Sequence, residues 1–242
     1  MNTPLLTVVL PAYREEQTIL QSLGRLFRCL DDYGITFLAR LVVDGPGDCT
    51  AELARTLEDP RLAVIELDQN FGKGKAVRVG MEGCSTPYLA YIDADLDLHP
   101  EGLAEAFRVL ENAPESVCGA VGSKLHPMSR VEYPLPRRIL SRVFKWLVRW
   151  GFSIDVNDTQ TGLKVFRANH VLQVLPHLES NGFEFDLELL TRLSRRGLSF
   201  VEVPIVLDYH FASTVNVRSG VRTLTDMLAL ALHLRRVGRH NP

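Results

Sequence analysis

The sequence predicts an α/β protein with a mainly parallel β-sheet and helices on both of its faces. Two observations carry this prediction. Short apolar runs rich in strand-forming residues alternate with segments of helical periodicity over the first 125 residues, and a polar or glycine-containing loop follows most of these runs. Strands that alternate with helices are typical of parallel sheets, because each helix returns the chain to the edge where the next strand starts.

The predicted elements follow one another without a low-complexity linker. The strands are Leu6–Leu10, Phe37–Val43, Leu62–Leu67, Tyr88–Ile92 and Val117–Val121. The helices between them are Glu15–Leu30, Thr50–Leu57, Gly74–Gly83 and Pro100–Leu110. Pro100 suits the first position of a helix, where its missing N–H costs nothing. The second half predicts helices at Pro134–Phe152 and from Phe183, a strand at Phe200–Leu207, and an amphipathic tail at Arg218–Arg239.

Composition describes an ordinary globular chain and excludes several classes of protein. The 242 residues carry a formal net charge of −2, which argues against a nucleic-acid-binding protein. The four cysteines are scattered without metal-binding spacing, so we expect reduced thiols and a cytoplasmic location. We expect no signal peptide, because Met1 to Pro4 leads directly into a strand, and no apolar run approaches the roughly 18 residues of a membrane span.

The most informative motif is a group of three carboxylates at alternate positions, Asp93, Asp95 and Asp97, directly after the fourth strand. On an extended segment, alternate side chains would point to one side of the backbone. Crowded carboxylates repel one another unless a cation lies among them, and hard oxygen ligands favour Mg²⁺ or Mn²⁺. A solvated acidic turn is the alternative interpretation of this motif alone.

Other polar clusters also follow predicted strands, at the edge where parallel sheets bind ligands. Asn70 to Lys75 combines glycines with Lys73 at a helix start, which suits a phosphate, although the spacing is not that of a Walker P-loop. Arg78 lies one turn further along. Tyr13 and Glu15 after the first strand, and Asp44 after the second, could contact a nucleobase or ribose.

Two basic segments suggest contact with a membrane surface. The helix predicted at Pro134–Phe152 has an apolar stripe flanked by arginines and tryptophans, and the tail at Arg218–Arg239 is also basic and amphipathic. The alternative is a core helix with a solvated basic face.

The ordered set of these motifs resembles glycosyltransferase family 2, whose members have the GT-A fold. The resemblance rests on the segments Val8–Glu16, Asp44–Thr50, Asn70–Met81, Asp93–Asp95, Asp158–Phe166 and Phe185–Leu190. Within the family, the chain is most similar to dolichyl-phosphate β-glucosyltransferases and dolichol-phosphate mannose synthases. One departure is Val43 before Asp44, where the family usually has a second aspartate, and this leaves the choice of base open.

The resemblance implies inverting transfer of a sugar from a UDP- or GDP-sugar to a polyprenyl phosphate, with Mg²⁺ or Mn²⁺ as cofactor. The implied nucleotide-binding residues are Pro11, Tyr13, Glu15, Asp44, Lys73, Arg78, Asp93 and Ala94. The implied metal ligands are Asp93, Asp95 and Asp97, and the implied catalytic residues are Asp95, Asp158 and Gln160. The implied acceptor-phosphate residues are Ser123, Lys124, Arg130, Arg137 and Arg138.

Several alternatives stay open at this point. A soluble hydroxyl or acidic acceptor would make Asp158 the candidate base, and a non-catalytic nucleotide-binding protein is a third interpretation. His210 is a candidate extra metal ligand, and Arg218 could clamp the diphosphate. We predict one domain with a donor half (1–125), an acceptor half (126–217) and a basic C-terminal helix (218–242). Its expected location is cytoplasmic, with peripheral attachment to the inner membrane face. The sequence does not predict the oligomeric state.

Overall fold

A computed structural model describes residues 3–131, 154–182 and 184–208. The strands are β1 (Leu6–Ala12), β2 (Phe37–Val43), β3 (Leu62–Glu66), β4 (Tyr88–Ile92), β5 (Val117–Ser123), β6 (Arg130–Val131), β7 (Leu163–Arg167), β8 (Ser199–Pro204) and β9 (Val206–Leu207). The helices are α1 (Ile19–Asp32), α2 (Thr50–Arg55), α3 (Lys73–Met81), α4 (Pro100–Glu111), α5 (Ala168–Val174) and α6 (Phe185–Arg195), with a 3₁₀ turn at Leu175–His177.

The main sheet has seven strands in the order β3-β2-β1-β4-β7-β5-β8. All neighbouring pairs are parallel except those of β7, which runs antiparallel to both β4 and β5. The predicted mainly parallel sheet is therefore confirmed, and β7 is an antiparallel insertion that the alternating pattern did not predict. β6 and β9 form a separate two-stranded parallel sheet.

Helices cover both faces of the sheet, as predicted. One hydrophobic cluster joins Val8 and Leu10 of β1 to α1, α2 and α4. A second joins Val9 of the same strand to α3, α5 and α6. Successive residues of a strand point to opposite faces, so β1 can contribute to both clusters and is buried along its whole length.

The first helix begins four residues later than the sequence predicts. The backbone N–H of Glu15 donates to the Thr50 hydroxyl at 2.9 Å, and that of Glu16 donates to the Asp48 carboxylate at 3.0 Å. These contacts tie the loop after β1 to the loop after β2, and α1 starts only at Ile19. The local periodicity that predicted the helix carries no information about such partners.

Two predicted segments, Pro134–Phe152 and Arg218–Arg239, lie outside the described residues, together with His210. Within the ranges that are described, none of the helices combines the length and hydropathy that crossing a bilayer requires. The division of the domain into donor, acceptor and tail portions stays a prediction.

Candidate active site

The parallel strands bring their carboxyl ends to one edge of the sheet. The last residues of β1 and β2, Ala12 and Val43, lie opposite each other, and Val43 lies opposite Glu66 at the end of β3. The loops after β1, β2, β3 and β4 therefore emerge side by side. This arrangement is the one that the sequence prediction requires. It allows the residues after these strands to lie in one region, namely Tyr13, Asp44, Lys73 and Asp93.

The acidic motif forms a turn, so the predicted extended arrangement of its three carboxylates is wrong. β4 ends at Ile92, and the N–H of Leu96 donates to the Asp93 carbonyl at 3.1 Å. Leu96 has a positive φ of 49°. In the described part of the chain, no three His, Cys, Asp or Glu side chains converge in a way that could hold a metal ion. The strand periodicity fails here because pairing of β4 stops before Asp93.

Asp95 carries the clearest sign of crowded negative charge. Although the residue is exposed, the pKa of Asp95 is raised to about 7, mainly by desolvation of its carboxyl group and by the nearby charge of Asp93, with smaller contributions from Asp97 and Glu15. The N–H of Asp97, which donates to this carboxylate at 3.2 Å, acts in the opposite direction. A cation would relieve this repulsion.

The donor set fits Mg²⁺ or Mn²⁺ shared with a ligand better than a cage made by protein alone. Asp93 and Asp95 offer hard carboxylate oxygens at a sheet edge, and Asp95 is open to solvent. Mg²⁺ usually takes one or two carboxylates and completes its coordination with water and substrate phosphates. Two accessible carboxylates without a third converging ligand are what such a shared site needs.

Lys73 contacts Asp93 directly. Its ammonium lies 2.5 Å from Asp93 Oδ1, and Lys73 is the first residue of α3. Burial acts to lower the pKa of Lys73, but the Asp93 and Asp186 carboxylates outweigh it and raise the pKa above its usual value. Lys73 is therefore a fixed positive charge beside the acidic turn.

Gly162 brings the Asp158–Gly162 segment against Asp93. A Cβ at Gly162 would lie 1.9 Å from Asp93 Oδ2, so only glycine permits this close approach. The Asp93 N–H also donates to the Gly162 carbonyl at 3.2 Å. The structure thus brings together two motifs that are about 65 residues apart in the sequence.

Asp158 organises its own segment. Its Oδ2 accepts the Lys124 N–H at 3.0 Å and the Thr161 hydroxyl at 2.5 Å, and its Oδ1 accepts the Gln160 N–H at 3.3 Å. Two buried polar atoms of the segment, Thr159 Oγ1 and Gln160 Nε2, have no hydrogen-bond partner among the described residues. Gln160 therefore has a free amide donor in the segment whose Gly162 contacts Asp93.

The loops after β1 and β2 enclose an open cleft of about 500 Å³, lined by residues that include Arg14, Glu15, Glu16 and Asp48. Tyr13 is 42% exposed, and the Arg14 guanidinium lies over its ring at 5.2 Å. Burial raises the pKa of Glu15, and the charges of Asp48, Asp97 and Asp93 add to this rise. Negative charge therefore extends from the acidic turn into this cleft.

Asp44 holds the neighbouring loop in place. It is buried, and its two carboxylate oxygens accept the N–H groups of Phe71 and Gly72, each at 2.8 Å. Gly45 has a φ of 89°, and a Cβ there would lie 2.5 Å from the Asn70 backbone nitrogen. The described contacts of Asp44 are thus structural, and any contact with a nucleoside would have to use its remaining lone pairs.

Three predicted site residues are placed differently from the expectation. The side chains of Pro11, Ala94 and Ser123 are buried, so Pro11 and Ala94 could meet a nucleotide only through their backbone. The Ser123 hydroxyl accepts the Leu125 N–H at 3.3 Å and does not face solvent. The strand pleat thus turns the Ser123 hydroxyl inward, and its contact with an acceptor phosphate stays a prediction.

Of the predicted basic acceptor residues, Lys124 is half-buried and Arg130 is exposed at the start of β6. Arg137 and Arg138 lie outside the described residues, as does Arg218. The proposal that these cations bind an acceptor phosphate therefore stays a prediction.

The Arg78 guanidinium is held by the loop before α6. It donates to the Leu178 carbonyl and, at 3.0 Å, to Asn181 Oδ1. The same loop packs against the start of α3, where a Cβ at Gly74 would lie 2.8 Å from the Gly182 carbonyl. Arg78 thus braces this loop in the described structure, and its predicted place near a diphosphate stays a prediction.

Replacement of Arg78 by Met should therefore lower stability rather than diphosphate affinity. We expect the free energy of unfolding to fall by about 1–3 kcal/mol, because two hydrogen bonds from a charged donor are lost. Urea unfolding measures this, and Lys75→Met on the same helix is the matched control. If the variant instead lost affinity for a nucleoside diphosphate but kept it for the parent nucleoside, Arg78 would contact the diphosphate.

A buried network behind the site was missed by the sequence analysis. Lys164 is fully buried, and its ammonium donates to the Thr161 carbonyl at 2.6 Å and to Asp186 Oδ1 at 3.1 Å. The Tyr91 hydroxyl donates to the same Asp186 oxygen. Burial lowers the pKa of Lys164, and Lys73 lowers it further, against the pull of Asp186. The sequence does contain a signal of this network, because Lys164 lies within the apolar segment Leu163–Phe166 and a buried lysine needs an acidic partner.

Glu188, also on α6, supports the loop that Arg78 braces. It is fully buried, and its Oε2 accepts the N–H groups of Glu179 at 3.1 Å and Ser180 at 2.8 Å. Its other oxygen binds the Arg192 guanidinium at 2.8 Å. Helix α6 therefore fixes both the loop beside α3 and, through Asp186, the segment that carries Asp158.

The chain is similar to several known glycosyltransferases. A family model described as "Glycosyl transferase family 2" matches residues 7–169. The chain is 32% identical over 206 residues to glycosyltransferase AglD of Haloferax volcanii, and this match covers 82% of this chain and 32% of that protein. It is 30% identical over 222 residues to the dolichyl-phosphate beta-glucosyltransferase of Saccharomyces cerevisiae, covering 83% and 66% respectively. The chain thus spans less than two thirds of the length of these two relatives.

A third relative, the undecaprenyl-phosphate mannosyltransferase of Micrococcus luteus, is 27% identical over 202 residues, covering 81% of each chain. Among solved structures, glucosyl-3-phosphoglycerate synthase from Mycobacterium tuberculosis in complex with Mn²⁺, UDP-glucose and phosphoglyceric acid superposes with a TM-score of 0.71. That match has 17% identity and covers 94% of this chain and 80% of the other. The similarity confirms the GT-A fold.

Proposed function

Since the chain belongs to glycosyl transferase family 2, we propose that it transfers a hexosyl group from a UDP- or GDP-sugar to a polyprenyl phosphate. The observation that carries this proposal is the contact between Lys73 at the start of α3 and the acidic turn after β4. A cation, a helix N-terminus and two accessible carboxylates together suit a metal-bound diphosphate. The names of the yeast and Micrococcus relatives support the polyprenyl phosphate acceptor.

In this proposal Asp93 and Asp95 hold the divalent metal ion. When bound, the metal neutralises the negative charge that develops on the leaving diphosphate. Lys73 supplies a further positive charge to the same group, and the open cleft beside Tyr13 and Glu15 accepts the nucleoside. The Mn²⁺ and UDP present in the Mycobacterium tuberculosis structures support both the ion class and the donor class.

The acceptor phosphate attacks the anomeric carbon of the sugar from the face opposite the leaving group. A new C–O bond to the acceptor forms while the C–O bond to the diphosphate breaks, and the electron pair leaves with the nucleoside diphosphate. An ionised phosphate needs no base, so its main requirement is orientation near positive charge. Lys124 and Arg130, with Arg137 and Arg138, are the proposed cations.

Asp158 and Gln160 have positioning roles when the acceptor is a phosphate. Asp158 holds Lys124 and Thr161 through hydrogen bonds, which fixes the acceptor side of the site relative to Asp93. The free Gln160 amide is a donor available to the sugar or acceptor. If the acceptor were a hydroxyl, Asp158 would instead be the group that takes its proton.

The test is a transfer assay with UDP-glucose, GDP-mannose and other common donors, Mn²⁺ and a short-chain polyprenyl phosphate. We expect a lipid-linked sugar with one donor and loss of product on addition of EDTA. Phosphoglyceric acid serves as the soluble comparison acceptor, because the similar synthase was crystallised with it. Transfer to phosphoglyceric acid alone would overturn the lipid acceptor, and no transfer with any pair would overturn the proposed activity.

We also propose that the protein meets its lipid acceptor at the surface of a membrane, through the basic segments Pro134–Phe152 and Arg218–Arg239. Co-sedimentation with vesicles of neutral and of anionic lipid measures this. Salt-sensitive binding to the anionic vesicles is expected, and no binding to either would contradict the membrane proposal while leaving the transfer reaction untouched.

A further inference from the structure

In the described structure, the Lys73 ammonium forms an ion pair with Asp93, one of the two carboxylates proposed to bind the metal ion. Lys73 Nζ lies 2.5 Å from Asp93 Oδ1, and the lysine side chain is only 18% exposed while that of Asp93 is 34% exposed. Lys73 follows Gly72, whose N–H is held by Asp44. The contact is thus made by a lysine at a fixed point of the backbone rather than by a mobile surface side chain.

The second buried carboxylate near Lys73 already has its own counter-ions. Asp186 accepts hydrogen bonds from the Lys164 ammonium at 3.1 Å and from the Tyr91 hydroxyl. Two lysines and two aspartates therefore form two ion pairs, Lys73 with Asp93 and Lys164 with Asp186. Lys73 has Asp93 as its direct ionic partner, and the Lys164 charge nearby disfavours a move deeper into the protein.

Two cations cannot both make close contact with one carboxylate at low cost. At a separation of about 4 Å, two like unit charges near a protein surface repel by several kcal/mol, and a divalent ion doubles this. A metal ion that approaches Asp93 alone must therefore displace Lys73 without offering it a new partner. A metal ion that arrives with a nucleoside diphosphate brings negatively charged oxygens that can accept the ammonium.

We propose that Lys73 is an internal counter-ion of Asp93 that transfers to the donor diphosphate when metal and nucleotide bind, so that each binds strongly only in the presence of the other. The inference rests on the proposed function for its ligands and goes beyond it in making the binding of metal and of nucleotide depend on each other. Such coupling is reciprocal: the factor by which nucleotide strengthens metal binding equals the factor by which metal strengthens nucleotide binding. A site of this kind discriminates against free metal ions and against free nucleotide.

The test measures binding of Mn²⁺ to the full chain, with and without UDP or GDP, by the electron paramagnetic resonance signal of free Mn²⁺ and by calorimetry. In the parent protein we expect a coupling factor in the range of about 5–150. In Lys73→Met, Mn²⁺ alone should bind several-fold more tightly, because Asp93 is no longer occupied. Nucleotide should bind this variant more weakly in the presence of Mn²⁺, so the coupling factor should fall toward 1.

The titration with Mn²⁺ alone separates this inference from a simple phosphate-binding role for Lys73. Loss of a phosphate contact would weaken nucleotide binding but would leave the affinity for Mn²⁺ alone unchanged, and that result would overturn the inference. Lys73→Arg keeps the positive charge and should keep most of the coupling. Arg28→Met, which removes a cation from the exposed face of α1, is the control and should behave like the parent protein.

The titrations of the parent protein and of Lys73→Met also distinguish failure of the inference from failure of the proposed function. If the parent protein binds neither UDP nor GDP with Mn²⁺, the proposed donor class is wrong. If it binds one of them with strong coupling that Lys73→Met leaves intact, the donor site stands and only the counter-ion role is wrong. Thermal unfolding of each variant shows whether it is folded, and Lys73→Arg provides the comparison if Lys73→Met is not.

Discussion

Replacement of Asp95 by Asn is expected to reduce sugar transfer by about 10²–10³-fold, the range seen when one group that stabilises charge in a transition state is removed. The amide keeps the shape of the side chain but loses the charge that holds a divalent ion. We expect the affinity for Mn²⁺ in the presence of nucleotide to fall with activity. Steady-state kinetics at saturating donor, with Mn²⁺ varied, measures both effects.

The same change should not destabilise the metal-free protein. Because the folded pKa of Asp95 is raised to about 7, the ionised group opposes folding above its ordinary pKa. Stability of the metal-free parent should fall as the pH rises from about 4 to about 7, and this slope should be smaller in Asp95→Asn. An inactive variant that is at least as stable as the parent at pH 8 would assign the loss to function.

Asp97→Asn is the informative comparison, since Asp97 belongs to the same turn. We expect a clearly smaller loss of activity, because the turn does not bring the three carboxylates to one point. Glu105→Gln on the exposed face of α4 is a control for charge alone. Equal losses for Asp95→Asn and Asp97→Asn would indicate a three-carboxylate metal site, and full activity of Asp95→Asn would contradict its metal role.

Local sequence patterns predicted the parallel part of the fold because each of its elements has a local signal. The predicted bounds of Phe37–Val43 and Tyr88–Ile92 agree with the observed strands. The antiparallel β7 was missed because its partners β4 and β5 are distant in sequence, and pairing direction leaves no periodic signature. The late strand Phe200–Leu207 is divided after Pro204, a residue that has no N–H to donate to a sheet.

The sequence predicted which residues lie at the candidate site, because their positions after the strands determine this. It did not predict which hydrogen-bond partners those side chains have. That Asp44 and Asp93 follow neighbouring strands can be read from the sequence. That Asp44 is occupied by the N–H groups of Phe71 and Gly72 cannot, because the contact joins residues 27 and 28 positions apart. Arg78 shows the same limit, since its partners lie 100 and 103 residues away.

Lys164→Met is expected to be the most destabilising single change in the region of the site. Lys164 and Asp186 are 0% and 4% exposed as side chains, so loss of the ammonium leaves a buried carboxylate without its ionic partner. Removal of one member of a buried ion pair costs about 3–5 kcal/mol. The Tyr91 hydroxyl keeps its hydrogen bond to Asp186, which favours the lower end of this range. Urea unfolding measures the change.

The double variant Lys164→Met with Asp186→Leu decides what the pair does. Without either charge, the polar groups that remain are the Tyr91 hydroxyl and the Thr161 carbonyl, and a buried ion pair replaced by apolar residues is often neutral in stability. We therefore expect the double variant to be more stable than Lys164→Met.

The activity of the double variant shows whether the pair also has a positioning role. If activity stays low although stability recovers, the pair positions the site, since the Lys164 ammonium also holds the Thr161 carbonyl. That carbonyl belongs to the segment that carries Asp158 and contacts Asp93. Recovery of both stability and activity would show that each charge of the pair serves only to neutralise the other. A double variant as unstable as Lys164→Met would mean that the lost hydrogen bonds of the Thr161 carbonyl and the Tyr91 hydroxyl, rather than the unpaired carboxylate, account for the loss.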